Sequence, residues 1–411
     1  MEYFAYLQVQ TQPNIVGRDK LVDLIEHVVS SVPKHELDGW INGIDFKIDR
    51  ELPIKMGDAQ DNHLNGGAVF AGAGNDRLTG TKNSDLLFGQ DGNDTLNGGN
   101  GDDILNGGAG DDYLSNSGQN NGNDTYIFSG DYGNDIIHDS DSNVSKERHQ
   151  DTIRFTDVNL SAVQVLLKGQ DLILKTSDSN SVTIQNFQYS DSYHIENFEF
   201  ADQTVSLAEL MATKVATYHG TDNNDNHNIA QWKSQSVAHL GAGNDVFNAT
   251  GGKTEVYGQD GDDRVTTGTG NDVLDGGNGN DTLNGGNGDD ILNGGAGDDY
   301  LQGGAGADTF VFSLDVGLAL DVSQIGFDKI ADFDLKQGDK IDLTGLFANK
   351  SIMDNFGDYI HFEKSGAKNI TMMIDIDGKD EMFEKIAIAD IYSNNIDGVL
   401  NQLNQGEGLI L

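Results

Sequence analysis

Aspartates that recur at every ninth residue are the first feature of this chain with the makings of chemistry. Counted in nines from Ala71, the sixth position reads Asp76, Asp85, Asp94, Asp103 and Asp112. Counted from Leu240, it reads Asp245, Thr254, Asp263, Asp272, Asp281, Asp290, Asp299 and Asp308, so that Thr254 alone breaks the series. Two residues ahead of most of these aspartates stands a glycine: Gly92, Gly101 and Gly110 in the first array, Gly261, Gly270, Gly279, Gly288 and Gly297 in the second. Glycine permits positive φ and a close approach of backbone carbonyls. An aspartate just beyond it adds a carboxylate at the rim of the same turn. Carbonyl and carboxylate oxygens together are what a hard cation prefers. The composition asks for such a cation: 67 acidic against 25 basic residues leave a formal charge of -42. A chain of that charge repels itself unless something positive is bound. The same balance counts against nucleic acid and anionic lipid, where lysine and arginine must neutralise phosphates.

The elements that position these aspartates are short strands. Two places after each aspartate comes an apolar residue, Leu78, Leu87, Leu96, Leu105 and Leu114 in the first array, and Phe247, Val256, Val265, Leu274, Leu283, Leu292, Leu301 and Phe310 in the second. A brief strand that points this side chain inward lets two nonads close one 18-residue coil of a parallel β-roll, with ions between stacked turns. A flexible acidic linker would not hold two residue types in register through so many units. The stretch GDAQDNHLNGGAVF at 57–70 reads as an imperfect first turn, five residues out of register. Between the arrays glycine thins and strand-like alternation takes over, as in Asp151-Thr-Ile-Arg-Phe-Thr and Leu172-Ile-Leu-Lys, with a hairpin turn expected at Gly169-Gln-Asp171. Beyond Asp308, DKIADF, DKIDL and YIHFEK read as further strands, and a hairpin is expected to turn at Asp377-Gly378. All three prolines lie in the first 53 residues, which puts a boundary near 56. Ahead of it, Leu21, Leu24, Ile25, Val28 and Val29 have the spacing of an amphipathic helix over 19–31.

GGNGDDILN and GGAGDDYLQ match the G-G-x-G-x-D-x-U-x pattern, and the arrays resemble the repeats-in-toxin (RTX), haemolysin-type calcium-binding family. The resemblance implies Ca²⁺, several ions per roll, each between aspartates 18 residues apart. The expected pairs are Asp76/Asp94, Asp85/Asp103 and Asp94/Asp112, then Asp245/Asp263, Asp263/Asp281, Asp272/Asp290, Asp281/Asp299 and Asp290/Asp308. Thr254 is expected to leave its site weak or empty. Asn123-Asp-Thr-Tyr-Ile-Phe128 and Ile195-Glu-Asn-Phe-Glu-Phe-Ala-Asp202 look like the β-rich companion domain of haemolysin-type proteins. Ala307-Asp-Thr-Phe-Val-Phe312 with Gly338-Asp-Lys-Ile-Asp-Leu343 is similar to the segment that caps the roll in serralysin-type proteases. The expected fold is therefore all-β: an N-terminal, partly helical segment (1–56), a first roll (57–115), a β-rich companion (116–219), a second roll (220–308) and a β-rich cap (309–411). The family further implies export by the type I secretion machinery on an uncleaved C-terminal signal, and an extracellular or cell-surface location. Carbohydrate or a cell surface is the partner expected if the chain ends an adhesin.

No catalytic signature is found: neither H-E-x-x-H nor G-x-S-x-G occurs. The chain is accordingly read as having no enzymatic activity, with an accessory role beside a polysaccharide-active enzyme as the alternative. Met373-Ile-Asp375-Ile-Asp377-Gly378 has a look of an EF-hand loop, but its first ligand position is methionine, so a hairpin turn is the better reading. His219, His227 and His239 fit no transition-metal spacing and are read as solvated loop residues. Tyr189, Tyr193, Phe198 and Phe200 have the alternation of a packed strand rather than of a sugar site. Cysteine is absent, which removes disulfides and thiolate metal sites. No stretch of about 20 apolar residues spans a membrane, and MEYFAYLQVQTQPNIVGRDK lacks the features of a secretory signal peptide.

Overall fold

The computed structural model describes residues 54–116, 122–140, 150–229, 232, 234–313, 326–346, 359–375, 385–392 and 396–410. The helix expected at 19–31 and the turn at Asp377-Gly378 lie outside them. The chain forms two compact units, one of residues up to 165 with 170–210, the other of 166–169 with 211 onward. Each is built almost wholly of parallel strands. Among the described residues the α-helices are Leu207–Thr213 and Ile396–Leu403.

In the first unit, strands alternate between two sheets, so that each coil contributes one strand to each. One sheet carries Ala68–Ala73, Leu86–Asp91, Ile104–Ala109, Thr125–Phe128 and Thr152–Phe155, each parallel to the next. The other carries His63–Asn65, Arg77–Thr79, Thr95–Asn97, Tyr113–Asn116 and Asn134–Asp139. Because alternate residues of a strand face opposite sides, the eighth-position side chains stack into continuous inner ladders. Leu78, Leu96, Leu114, Ile137 and Ile184 run along one sheet, and Val69, Leu87, Leu105, Tyr126, Ile153 and Phe198 along the other. All of them are fully buried. These files of inward side chains run the length of the roll and form the centre of its core, joined in some strands by further buried residues such as Phe70, Phe88 and Phe128.

The ladder does not stop where the nonads do. Asp103 and Asp124 stack across 21 residues, Asp112 and Asp135 across 23, and Asp124 and Asp151 across 27. The strands Thr125–Phe128, Asn134–Asp139 and Thr152–Phe155 therefore continue the same ladder at a wider spacing in sequence. Near the other end, Ile54–Met56 lies parallel to Ala68–Ala73 in a coil of 14 residues, which accounts for the register slip in GDAQDNHLNGGAVF. The turn expected at 169–171 separates the strands Gln164–Lys168 and Asp171–Lys175, with Gly169 at φ +59°.

The second unit repeats the plan. Ala238, Val256, Leu274, Leu292, Phe310 and Ile341 form one inner ladder, and Phe247, Val265, Leu283, Leu301, Ile330 and Ile391 the other. Its last coils lengthen to 29 and 31 residues. Asn369–Asp375 pairs antiparallel with Lys385–Tyr392, giving the two arms of the expected hairpin. His227 corrects the sequence reading: it is no solvated loop residue but a buried member of the second ladder, opposite Phe247 and stacked on Tyr218 at 3.7 Å. His219 and His239 lie in strands as well, their rings stacked at 5.3 Å. Phe198 and Phe200 are packed as the alternation implies, whereas Tyr189 is 74% exposed.

Candidate metal centre

The turn at the end of each strand brings the sixth-position aspartates into files along the edges of the rolls. In every expected pair, the later aspartate's Oδ1 accepts the backbone N–H of the earlier one, at 2.7 to 3.0 Å. Asp94 accepts from Asp76, Asp103 from Asp85 and Asp112 from Asp94. In the second unit Asp263 accepts from Asp245, Asp281 from Asp263, Asp290 from Asp272, Asp299 from Asp281 and Asp308 from Asp290. These carboxylates are buried. One oxygen of each is thereby engaged, and the question is what the other meets.

For Asp76, Asp94, Asp103, Asp112, Asp245, Asp263, Asp272, Asp281, Asp290 and Asp299, Oδ2 is buried without a hydrogen-bond partner. Such an atom costs free energy unless a proton or cation satisfies it. Its surroundings supply further oxygens. A Cβ placed on Gly89 would meet both Asp94 Oδ2 and the Gly107 carbonyl, and one on Gly276 would meet both Asp281 Oδ2 and the Gly294 carbonyl. The missing side chain of the first-position glycine thus leaves a space lined by a carboxylate oxygen and a carbonyl from the next coil. This is an all-oxygen donor set suited to Ca²⁺. The fourth-position glycines serve the stacking itself. Gly92, Gly101, Gly110, Gly261, Gly270, Gly279, Gly288 and Gly297 all have φ between +106° and +139°. A Cβ on Gly288 would lie 1.6 Å from the Gly270 carbonyl one coil earlier.

Unless a cation is bound, burial lifts most of the carboxyls in these files above the ordinary range. Asp94, Asp112, Asp281 and Asp290 rise to about 7, and Asp103 to about 9, with Asp124 adding repulsion to the burial of Asp103. Asp263 and Asp299 rise to about 6. Asp85, Asp245, Asp272 and Asp308 are raised as well, burial again being the main cause. The edges therefore hold a proton or a metal ion far more readily than a bare negative charge.

Not every turn is alike. Asp85 gives its carboxylate to Thr81, which donates both its backbone N–H and its hydroxyl. Thr254 is fully buried, donates its N–H to Asp272 and meets the Ser236 hydroxyl at 3.3 Å. That rung lacks a carboxylate, as the sequence implies. Thr267 stands at a first position, and its hydroxyl donates to the Gly285 carbonyl at 2.6 Å.

Other members of the files escape a search in nines. Asp124, Asp135, Asp151, Asp328 and Asp339 continue them, each accepting an N–H from the aspartate one coil earlier. Their signal is the bare D-x-apolar step of Asp124-Thr-Tyr, Asp135-Ile-Ile, Asp151-Thr-Ile, Asp328-Lys-Ile and Asp339-Lys-Ile. Asp124 and Asp151 join Asp139 in a buried group whose ligand oxygens lie within 4.8 Å of one another, a further place with the donors for a metal ion. The Tyr126 hydroxyl donates to Asp139, and the Asn116 amide to Asp124. The fifth positions form a second file that runs the other way: Asn75 accepts from the N–H of Asn93, Asn93 from Asp111, Asp262 from Asn280 and Asn280 from Asp298. Short polar side chains at nearly every fifth position are its mark in the sequence.

A known repeat family matches these arrays. The family described as the RTX calcium-binding nonapeptide repeat (4 copies) matches residues 70–104, 79–114, 88–122, 257–292 and 284–315. The haemolysin-type calcium binding protein related domain matches residues 171–205. Among solved structures, the extracellular lipase LipA from Serratia marcescens is similar at 15% identity over 82% of this chain and 40% of that chain, with a TM-score of 0.17. This chain thus spans well under half the length of that lipase. No curated protein matches.

Proposed function

Because this chain carries two arrays of RTX calcium-binding nonapeptide repeats of the haemolysin type, we propose that it is a calcium-responsive folding module of a protein exported by type I secretion. RTX nonapeptide repeats bind Ca²⁺, and repeats of this kind typify secreted proteins. The observation that carries the reading is the file of buried Oδ2 atoms without hydrogen-bond partners, those of Asp94, Asp263 and Asp281 sharing a glycine-made space with a carbonyl of the neighbouring coil. In a cytosol poor in calcium, the repulsion among these carboxylates and the entropy of a glycine-rich backbone oppose folding. An unfolded chain suits passage through a narrow channel. Outside the cell, calcium neutralises the edges, and its binding free energy becomes folding free energy.

The reading assigns no catalysis to this chain, whose sequence holds neither H-E-x-x-H nor G-x-S-x-G. Its service is to the protein it belongs to, a toxin, adhesin or enzyme, by delaying folding until export is complete. Circular dichroism during addition of Ca²⁺ to chelator-treated protein tests this. The β signal is expected to be small in EGTA and to grow cooperatively with calcium. A complete β signal in EGTA, unchanged by calcium, defeats the proposal.

A further inference from the structure

In each array one of the two files of aspartates opens with the same short phrase: Gly80-Thr-Lys-Asn-Ser-Asp85 ahead of Asp103 in the first and Gly220-Thr-Asp-Asn-Asn-Asp225 ahead of Asp245 in the second. In both turns the threonine donates twice to the aspartate carboxylate, and the turns differ only in which oxygens accept. The Thr81 N–H and hydroxyl donate to the two oxygens of Asp85, and the hydroxyl accepts the Asn83 N–H at 3.1 Å. In the second turn the Thr221 N–H and hydroxyl both donate to Asp225 Oδ2, at 2.6 and 3.0 Å, and the hydroxyl accepts the Asn223 N–H at 3.2 Å. The cause is the residue type. Second positions such as Gly72, Gln90, Gly108 and Gly277 have positive φ, a conformation that a β-branched residue avoids. Thr81 and Thr221 are not among the described residues with positive φ. A different backbone at that point turns two donors onto the carboxylate. Neither Asp85 nor Asp225 has the partnerless buried Oδ2 that marks Asp94, Asp263 or Asp281.

We propose that these two turns take no calcium, the threonine donors occupying the carboxylate that faces an ion elsewhere, so that one file in each array starts on a rung closed by hydrogen bonds alone. Along that file, calcium-bound turns then follow a rung that needs no ion, and the threonine marks where ion binding in the file begins. This inference rests on the calcium-binding function proposed above. It sets a different use for Asp85 from the ligand role that the nine-residue period gives it.

Calcium bound per chain, measured by equilibrium dialysis and metal analysis of the full chain at saturating calcium, separates the possibilities. Asp85→Asn and Asp225→Asn are expected to bind as many ions as the parent, while Asp94→Asn is expected to bind fewer. Thr81→Gly and Thr221→Gly, which restore the residue usual at that position, are each expected to gain one ion. Circular dichroism at the same calcium concentration identifies any variant that has failed to fold. Loss of an ion on Asp85→Asn or Asp225→Asn in folded protein, or no gain in either folded glycine variant, overturns the inference while leaving the calcium function standing. A parent that binds no calcium at all overturns both.

Discussion

Asp281 shows what one residue of the file does. Its Oδ1 accepts the Asp263 N–H, its own N–H donates to Asp299, and its Oδ2 faces the Gly294 carbonyl. It therefore borders two of the expected ion positions, those shared with Asp263 and with Asp299. Asp281→Ala removes a charge-assisted acceptor from a buried backbone N–H and a carboxylate from the ion's donor set. Such an acceptor contributes about 2 kcal/mol, so the variant is expected to need more calcium to fold and to melt at lower temperature in saturating calcium. Equal calcium midpoints for variant and parent, read by circular dichroism, would mean that Asp281 holds no ion. The chemistry of this residue is legible in the sequence because three constraints coincide within a few positions: glycine for the turn, aspartate for the ion, leucine for the core. Thr81 is less legible. Its effect depends on a backbone conformation, and a residue count does not reveal which way an N–H points.

At the scale of the strand, the period of nine discloses the coils only while their loops stay the same length. The D-x-apolar step recurs at Asp124, Asp135, Asp151, Asp328 and Asp339, but coils of 21 to 31 residues dissolve the period there. Three residues with no fixed spacing do not stand out from the background, so these segments read as separate strand-rich regions. His227 is hidden for a related reason: its place in the ladder comes from a 20-residue coil just ahead of the regular ones. Burial pushes its pKa from 6.5 down to about 4. A base whose folded pKa is depressed opposes folding once the unfolded chain takes up a proton, so the cost is absent above about pH 6.5 and grows as pH falls toward 4. Between pH 7 and 5 this amounts to about 2 kcal/mol. His227→Phe, which continues the ladder through Phe247, is expected to flatten the fall in melting temperature between pH 7 and 5, measured in saturating calcium. An acid-side slope equal to that of the parent would mean that His227 is not a buried neutral ring.

For the molecule as a whole, the aspartates outweigh any single histidine, and their sign is opposite when calcium is absent. A carboxyl whose folded pKa lies above its unfolded value opposes folding while it is ionised. That cost is full above the folded pKa, declines as pH falls through it, and is gone below the unfolded value of 3.8. Asp103 and Asp135 at about 9, Asp94, Asp112, Asp281 and Asp290 at about 7, and Asp263 and Asp299 at about 6 place the window between roughly pH 9 and 4. Within it, protons and calcium are alternative answers to the same buried negative charge, on a chain whose formal charge is -42. Chelator-treated protein is therefore expected to gain β signal as pH falls from 8 to 5. Calcium-driven folding is expected to move the other way. A carboxyl with a pKa of about 7 must release its proton before it can bind the ion, which weakens apparent affinity by up to about tenfold per pH unit below 7. Calcium titrations followed by circular dichroism at pH 8, 7, 6 and 5 should show midpoints that rise at each acid step. A midpoint constant across that range would mean that the buried carboxylates are not the groups calcium binds, and that the two files of aspartate serve only to hold the coils in register.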